Sequence, residues 1–213
     1  YKAGCKVHGG TQTHMTVADI RARLMGKQKA NSELFTKPEY VVPIRSANTK
    51  VQQWLQQWDL GVELMWDVKE DRIVFPIYEG NVMVDATGRA FGRRLPKWKR
   101  YGSSAIPYVV GDTNQAVIVE DCISAAVVAQ EISHGSGVAI MGTSLSDGQY
   151  RFLSRQKYSC IVVALDPDAL PKTLGMAKEL HNVAETIKVL KLNDDLKYRN
   201  LEDINKLENM LWN

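Results

Sequence analysis

The apolar positions of this chain change rhythm along its length. Up to about residue 60 they recur at helical spacing in two short segments. Thr16 and Asp19 open the first like a capping box, which predicts a helix over 16–25. Asn48 or Thr49 can cap the second, over 51–58, with Trp54, Leu55 and Trp58 on one face. The intervening 26–46 are polar and broken by Pro38 and Pro43. From residue 72 the pattern predicts strands over 72–78 and 82–85, joined through Glu79, Gly80 and Asn81 as a hairpin. From Ala116 short apolar runs alternate with amphipathic segments. Strands are expected over 117–119, 137–141, 160–165 and 186–192. Helices are expected over 124–132, 147–155, 171–181 and 201–211, with Pro171 in a first helical turn. Wholly apolar strands separated by helices predict an α/β fold, a mainly parallel sheet covered on both faces. A smaller mixed strand-and-helix part of α+β character precedes it. The expected division is 1–15 as loop or the remnant of a larger element, 16–115 as an N-terminal subdomain, and 116–213 as the α/β domain.

Composition narrows the picture little. Of 213 residues, 45% are hydrophobic and 24% charged, and the net charge is only +3. The distribution of charge must therefore carry any argument for a nucleic-acid partner. No apolar run reaches the roughly 18 residues of a membrane span, and no signal-peptide pattern opens the chain. Cys5, Cys122 and Cys160 are odd in number and far apart, which suits a reducing compartment such as the cytoplasm. Cys122 and Cys160 lie in apolar contexts and read as core thiols. The chain begins at Tyr1 without an initiator Met, and a piece of a longer protein is expected.

Chemistry concentrates where strands end. Glu120 follows the first apolar strand of the α/β part, and Asp166 and Asp168 follow the third. In open parallel sheets, sites form at the carboxyl ends of strands. If Pro167 keeps the backbone extended, Asp166 and Asp168 point to the same side. Hard oxygen ligands without His or Cys suit Mg2+ or Mn2+ and not zinc. For any one of these acids alone, helix capping or loop solvation is the simpler explanation.

Between them and the hairpin lies a basic stretch. Arg89, Arg93, Arg94, Lys97, Lys99 and Arg100 are interleaved with Phe91, Trp98 and Tyr101. Cations neutralise phosphates and aromatic rings stack on unpaired bases, so this stretch is a candidate for binding nucleotide or single-stranded template. The simpler alternative is a solvated basic loop with Trp98 packed on the sheet. Lys172 stands within phosphate reach of the acids, or is an ordinary helix-surface lysine. Cys5 and His8 have the spacing of half a zinc site, and Zn2+ would need ligands from an upstream ribbon. No phosphate loop of the GxxxxGK[ST] type occurs, so any helicase motor belongs to another domain or chain.

The segments VIVEDCISA (117–125), IMGTSL (140–145) and VVALDPDALPKTLGMAKEL (162–180) resemble the TOPRIM domain of bacterial and phage DNA primases. Upstream, Phe75-Pro-Ile77, Gly92-Arg-Arg94 and Pro96-Lys-Trp98 resemble the segment that precedes TOPRIM in those enzymes. The resemblance implies a DNA-directed RNA polymerase that makes short primers on single-stranded DNA from ribonucleoside triphosphates. It implies that Glu120, Asp166 and Asp168 are catalytic and hold Mg2+ or Mn2+. It also places Arg94 and Lys97 toward nucleotide or template, and a fused or separate replicative helicase as partner. Asp195, in a loose match to a late acidic motif, is a candidate outer metal ligand or a surface loop acid. Ser124 stands where the family often has a second acid, a departure that bears on how many ions bind. A TOPRIM nuclease and a non-catalytic DNA-binding module remain the competing expectations.

Overall fold

The computed structural model describes residues 34–212. The helix expected over 16–25, Cys5 and His8 lie outside the described residues. The described part is built on two five-stranded sheets.

The first sheet is antiparallel throughout. Its strands are β1 (Val41–Pro43), β2 (Met65–Asp67), β3 (Arg72–Glu79), β4 (Val82–Ala90) and β5 (Trp98–Arg100), in that order across the sheet. β3 and β4 form the expected hairpin, closed by Gly80 at φ 59°, a left-handed conformation natural to glycine. β4 continues to Ala90, past the expected end at residue 85. Helix α1 (Thr49–Trp58) is capped by Asn48, whose side chain accepts from the Val51 amide at 3.1 Å.

The second sheet contains β6 (Tyr108–Val110), β7 (Gln115–Val119), β8 (Ser136–Ala139), β9 (Cys160–Val163) and β10 (Thr186–Val189). Their spatial order is β10-β9-β7-β8-β6, with the first four parallel and β6 antiparallel at the edge. β6 thus lies in this sheet although it precedes residue 116.

Alternation along β7 sorts the layers. Val117 and Val119 share a core with α2 (Cys122–Glu131), α5 (Leu201–Trp212) and Phe75 of the first sheet. Ala116 and Ile118 share another with Phe152 of α3 (Asp147–Gln156) and Met176 of α4 (Leu170–Glu179). Residues 117–119 of β7 and 161–163 of β9 are apolar at every position because both faces are covered there. β8 approaches α2 so closely that a Cβ at Gly137 would fall 2.0 Å from the Ala125 carbonyl oxygen, so only glycine fits. Cys122 and Cys160 are buried free thiols. No described helix is long and apolar enough to cross a membrane.

Candidate metal and nucleic-acid site

β7 and β9 are adjacent and parallel, with Ile118 beside Val163. Their carboxyl ends therefore release Glu120 and Asp166 side by side. A Glu120 Oε1 accepts the Asp166 backbone N–H at 3.2 Å, a direct bond between the two strand ends. Asp121 turns the chain into α2: its Oδ1 accepts the amides of Ile123 and Ser124, each at 3.0 Å. Helix capping thus accounts for Asp121, the acid that sequence reasoning passed over, and not for Glu120.

The chain does not stay extended through Asp166, Pro167 and Asp168. Asp166 is extended, but Pro167–Ala169 forms a 3-10 turn, which Pro167 favours as its first residue. Asp168 is consequently carried out to an exposed position, where its charge still acts on Glu120. A second 3-10 turn, Leu196–Tyr198, follows Asp195 and brings Lys197 back to the same edge. The Lys197 Nζ is paired with Asp195 Oδ2 and lies 3.8 Å from Asp121 Oδ2 and 4.0 Å from Asp166 Oδ2. It is 6% exposed. Lys197 was visible in the sequence only as the residue after Asp195 and Leu196; nothing there signalled its burial.

Burial is the main cause that raises the Asp166 carboxyl to about 7, with Glu120, Asp195 and Asp121 adding to it and Lys197 opposing. Burial likewise raises Glu120; the Asp166 N–H opposes it, and Asp168, Asp121 and Asp195 reinforce it. Burial alone would lower the Lys197 ammonium, but Asp195, Asp121 and Asp166 outweigh it and the net direction is up. Among the described residues no three acidic, His or Cys side chains form a ready-made ion-binding set. The donor chemistry nevertheless fits a hard divalent cation. The carboxylates of Glu120, Asp166, Asp168, Asp195 and Asp121 outnumber the single Lys197, and their mutual repulsion is what such an ion relieves.

The basic stretch does not present one face. Arg100, on β5, donates from Nε to the fully buried Asp85 at 2.8 Å, and from Nη2 to the carbonyls of Ser104 and Ile106 at 2.9 and 2.8 Å. Lys99 pairs with Glu70, and Arg94 donates to the Glu70 carbonyl. Trp98 packs on Phe75 with ring centroids 5.6 Å apart. Arg89, on β4, lies between the rings of Trp58 and Trp98, 5.7 and 5.6 Å from their centroids. Its Nε and Nη1 are buried without hydrogen-bond partners among the described residues, and burial pulls its pKa down while Asp121 and Tyr198 oppose. Arg93 and Lys97 are exposed and pair with no described residue. Lys172 is exposed in the first turn of α4.

An open α/β layer with clustered acids at the carboxyl edge is joined to an antiparallel sheet. Solved structures similar to this arrangement include catalytic domains of DNA primases. A DNA primase domain from Pseudomonas aeruginosa matches with TM-score 0.52 and 17% identity, over 77% of this chain and 60% of that one. A DnaG primase catalytic domain bound to single-stranded DNA matches with TM-score 0.52 and 16% identity, over 76% and 58%. The zinc-binding and RNA polymerase domains of the Aquifex aeolicus primase match with TM-score 0.53 and 19% identity, over 80% and 49%. This chain therefore spans between about half and three-fifths of those structures. No protein-family model matches the sequence, and no curated protein does. At these identities the likeness establishes the fold, which is that of the bacterial primase catalytic core.

Proposed function

We propose that this protein is the catalytic core of a DNA primase, a nucleotidyltransferase that makes short RNA primers on single-stranded DNA. The observation that carries this reading is the bond between Glu120 Oε1 and the Asp166 backbone N–H, which ties the Glu120 carboxylate to the strand end that carries Asp166 within a fold like that of primases. Glu120, Asp166 and Asp168 would hold Mg2+ or Mn2+, with Asp195 behind them. The ion, when bound, supplies charge neutralisation for the triphosphate and activation of the attacking hydroxyl. The protein's own residues position and screen. Glu120 and Asp166 are rigid because each follows a buried strand. Arg93 and Lys97, exposed and without a carboxylate partner among the described residues, would meet phosphates of template or nucleotide. Arg89 keeps two buried N–H groups that could donate to a water oxygen. Residues 16–115 would serve template and nucleotide, and 116–213 catalysis.

The partners proposed are single-stranded DNA, ribonucleoside triphosphates and a replicative helicase. The cell compartment is the cytoplasm, that of the host if a phage encodes the chain. A zinc ribbon upstream, of which Cys5 and His8 would be the trailing edge, would be the place for Zn2+. The experiment is incubation of the chain with single-stranded DNA, labelled ribonucleotides and Mg2+. Labelled oligoribonucleotides are expected. Shortened DNA would identify a nuclease instead, and binding without either product would identify a DNA-binding module.

A further inference from the structure

Among the described residues Lys197 is the one cation buried within the acidic edge, and three anchors hold its turn there. Leu196 beside it is 1% exposed. Arg199, in the left-handed conformation at φ 53°, donates to the carbonyls of Trp58 and Asp59 at 2.9 and 3.2 Å, and to Gln130 and Glu131 at 3.1 and 2.9 Å. Asp203, fully buried, accepts the amides of Asn193 and Asp194 at 2.8 and 3.1 Å and so fixes the approach to Asp195. The 3-10 turn that carries Lys197 is thus tied on both sides, which fixes its backbone, while burial and the pairing with Asp195 hold the ammonium group at the acidic edge.

Its position divides the carboxylates. Asp195 Oδ2, Asp121 Oδ2 and Asp166 Oδ2 face the ammonium group. The other Asp121 oxygen is committed to two amides of α2. Glu120 and Asp168 make no ion pair with Lys197 or with any other described cation. A divalent ion placed among Asp121 and Asp195 would meet a fixed positive charge a few ångströms away, in a site too shielded for water to screen the repulsion. One beside Glu120 and Asp168 would not.

We propose that Lys197 is a built-in counter-charge that fills half of the acidic site, so that the protein binds one divalent cation, on the Glu120–Asp168 side, and excludes a second. Lys197 is on this account a positioning residue. It acts by holding Asp166, Asp121 and Asp195 in place and by setting the number of ions. This rests on the metal-site reading above, and the test separates the two.

The measurement is the number of Mn2+ ions bound per chain, from the electron paramagnetic resonance signal of the free ion during titration of the purified full chain. The wild type is expected to bind one. Lys197→Met, which keeps the length of the side chain and removes the charge, is expected to bind two; Lys197→Arg should restore one. Wild type binding two ions overturns the proposal without any variant, so a failure of Lys197→Met to fold does not protect it. A folded Lys197→Met that still binds one ion also overturns it. Primer synthesis is assayed on the same preparation. One ion bound with no primers made leaves the ion count standing and removes the primase reading. Primers made with two ions bound does the reverse. No ion bound overturns both.

Discussion

At the carboxyl edge of the second sheet, charged side chains gather. Glu120, Asp121, Asp166, Asp195 and Lys197 come from three separate stretches of chain and act on one another. Along the last strands of the first sheet the cations disperse: Arg100 turns inward to Asp85, Lys99 and Arg94 to Glu70, and Arg89 between two tryptophans. The difference follows from what sets each side chain's direction. A buried parallel strand can end in only one place, so its following residue inherits a fixed position. A three-residue strand followed by a loop leaves each cation to find its own partner. Clustering in sequence is therefore strong evidence for a site in the first case and weak in the second.

The largest effect is expected at the acidic edge. Asp166→Asn with Asp168→Asn should reduce primer synthesis below detection, since two hard oxygen ligands lose their charge. Without metal the double variant should melt at the same temperature as wild type or higher, because like charges are removed from a partly buried cluster. Its stabilisation by added Mg2+ should shrink. Full synthesis by a folded double variant would take these residues out of the catalytic centre.

The matching cut in the basic region should damage the fold and not the chemistry. Asp85 accepts the Arg100 Nε–H and the amides of Ala86, Gly102 and Ser104 at 2.6–2.9 Å. Asp85→Ala removes the counter-charge of the half-buried Arg100 and the acceptor of three amides, one buried and two half-buried, which should cost about 3–5 kcal/mol. Urea unfolding measures it. A loss below about 1 kcal/mol would mean that Arg100 is free to turn outward, and the contrast between the two regions would weaken.

Much of the second sheet was legible because β7 and β9 are unbroken apolar runs bounded by turn residues. Glu120 and Asp166 could be placed from that alone. The β3–β4 hairpin was equally plain at Gly80. The three-residue strands β1, β2, β5 and β6 were not, since three residues carry too little periodicity and β5 is Trp-Lys-Arg. Asp85 and Arg100 are 15 positions apart, and neither signals the other. The expected extension through Pro167 gave way to a 3-10 turn because proline suits the first residue of a turn as well as it restricts the residue before it. Lys197 illustrates a further limit: a lysine in a polar loop reads as solvated unless the turn that buries it is known.

A smaller and more diagnostic effect concerns pH. Asp166 is raised in the folded protein to about 7 from an ordinary 3.8, chiefly by burial. The folded state therefore holds the proton more tightly than the unfolded chain. This contribution to stability is fully present below about pH 4 and is lost as pH rises toward 7. In the presence of a chelator, stability should fall across that window by about 1–2 kcal/mol, allowing for screening of a carboxylate with 24% of its side chain exposed. Asp166→Asn should flatten the slope. An unchanged slope in the variant would assign the pH dependence to other groups.

The smallest effect tests whether any of the dispersed cations faces nucleic acid. Arg93 and Lys97 are exposed and, among the described residues, paired with none, so replacing both by Ala should leave stability within about 0.5 kcal/mol. If each neutralises a phosphate of single-stranded DNA, each releases counterions. The logarithmic dependence of affinity on salt should then become shallower by roughly 0.7 per residue, or about 1.4 together. Lys99→Ala serves as the internal contrast: its ammonium is committed to Glu70, and its removal should change the slope by less than either exposed residue does. Fluorescence anisotropy of a labelled oligonucleotide across a salt series supplies all three slopes. Should Lys99→Ala move the slope as much as Arg93→Ala, the pairing with Glu70 does not withhold that cation from DNA, and the basic stretch would act as one surface after all.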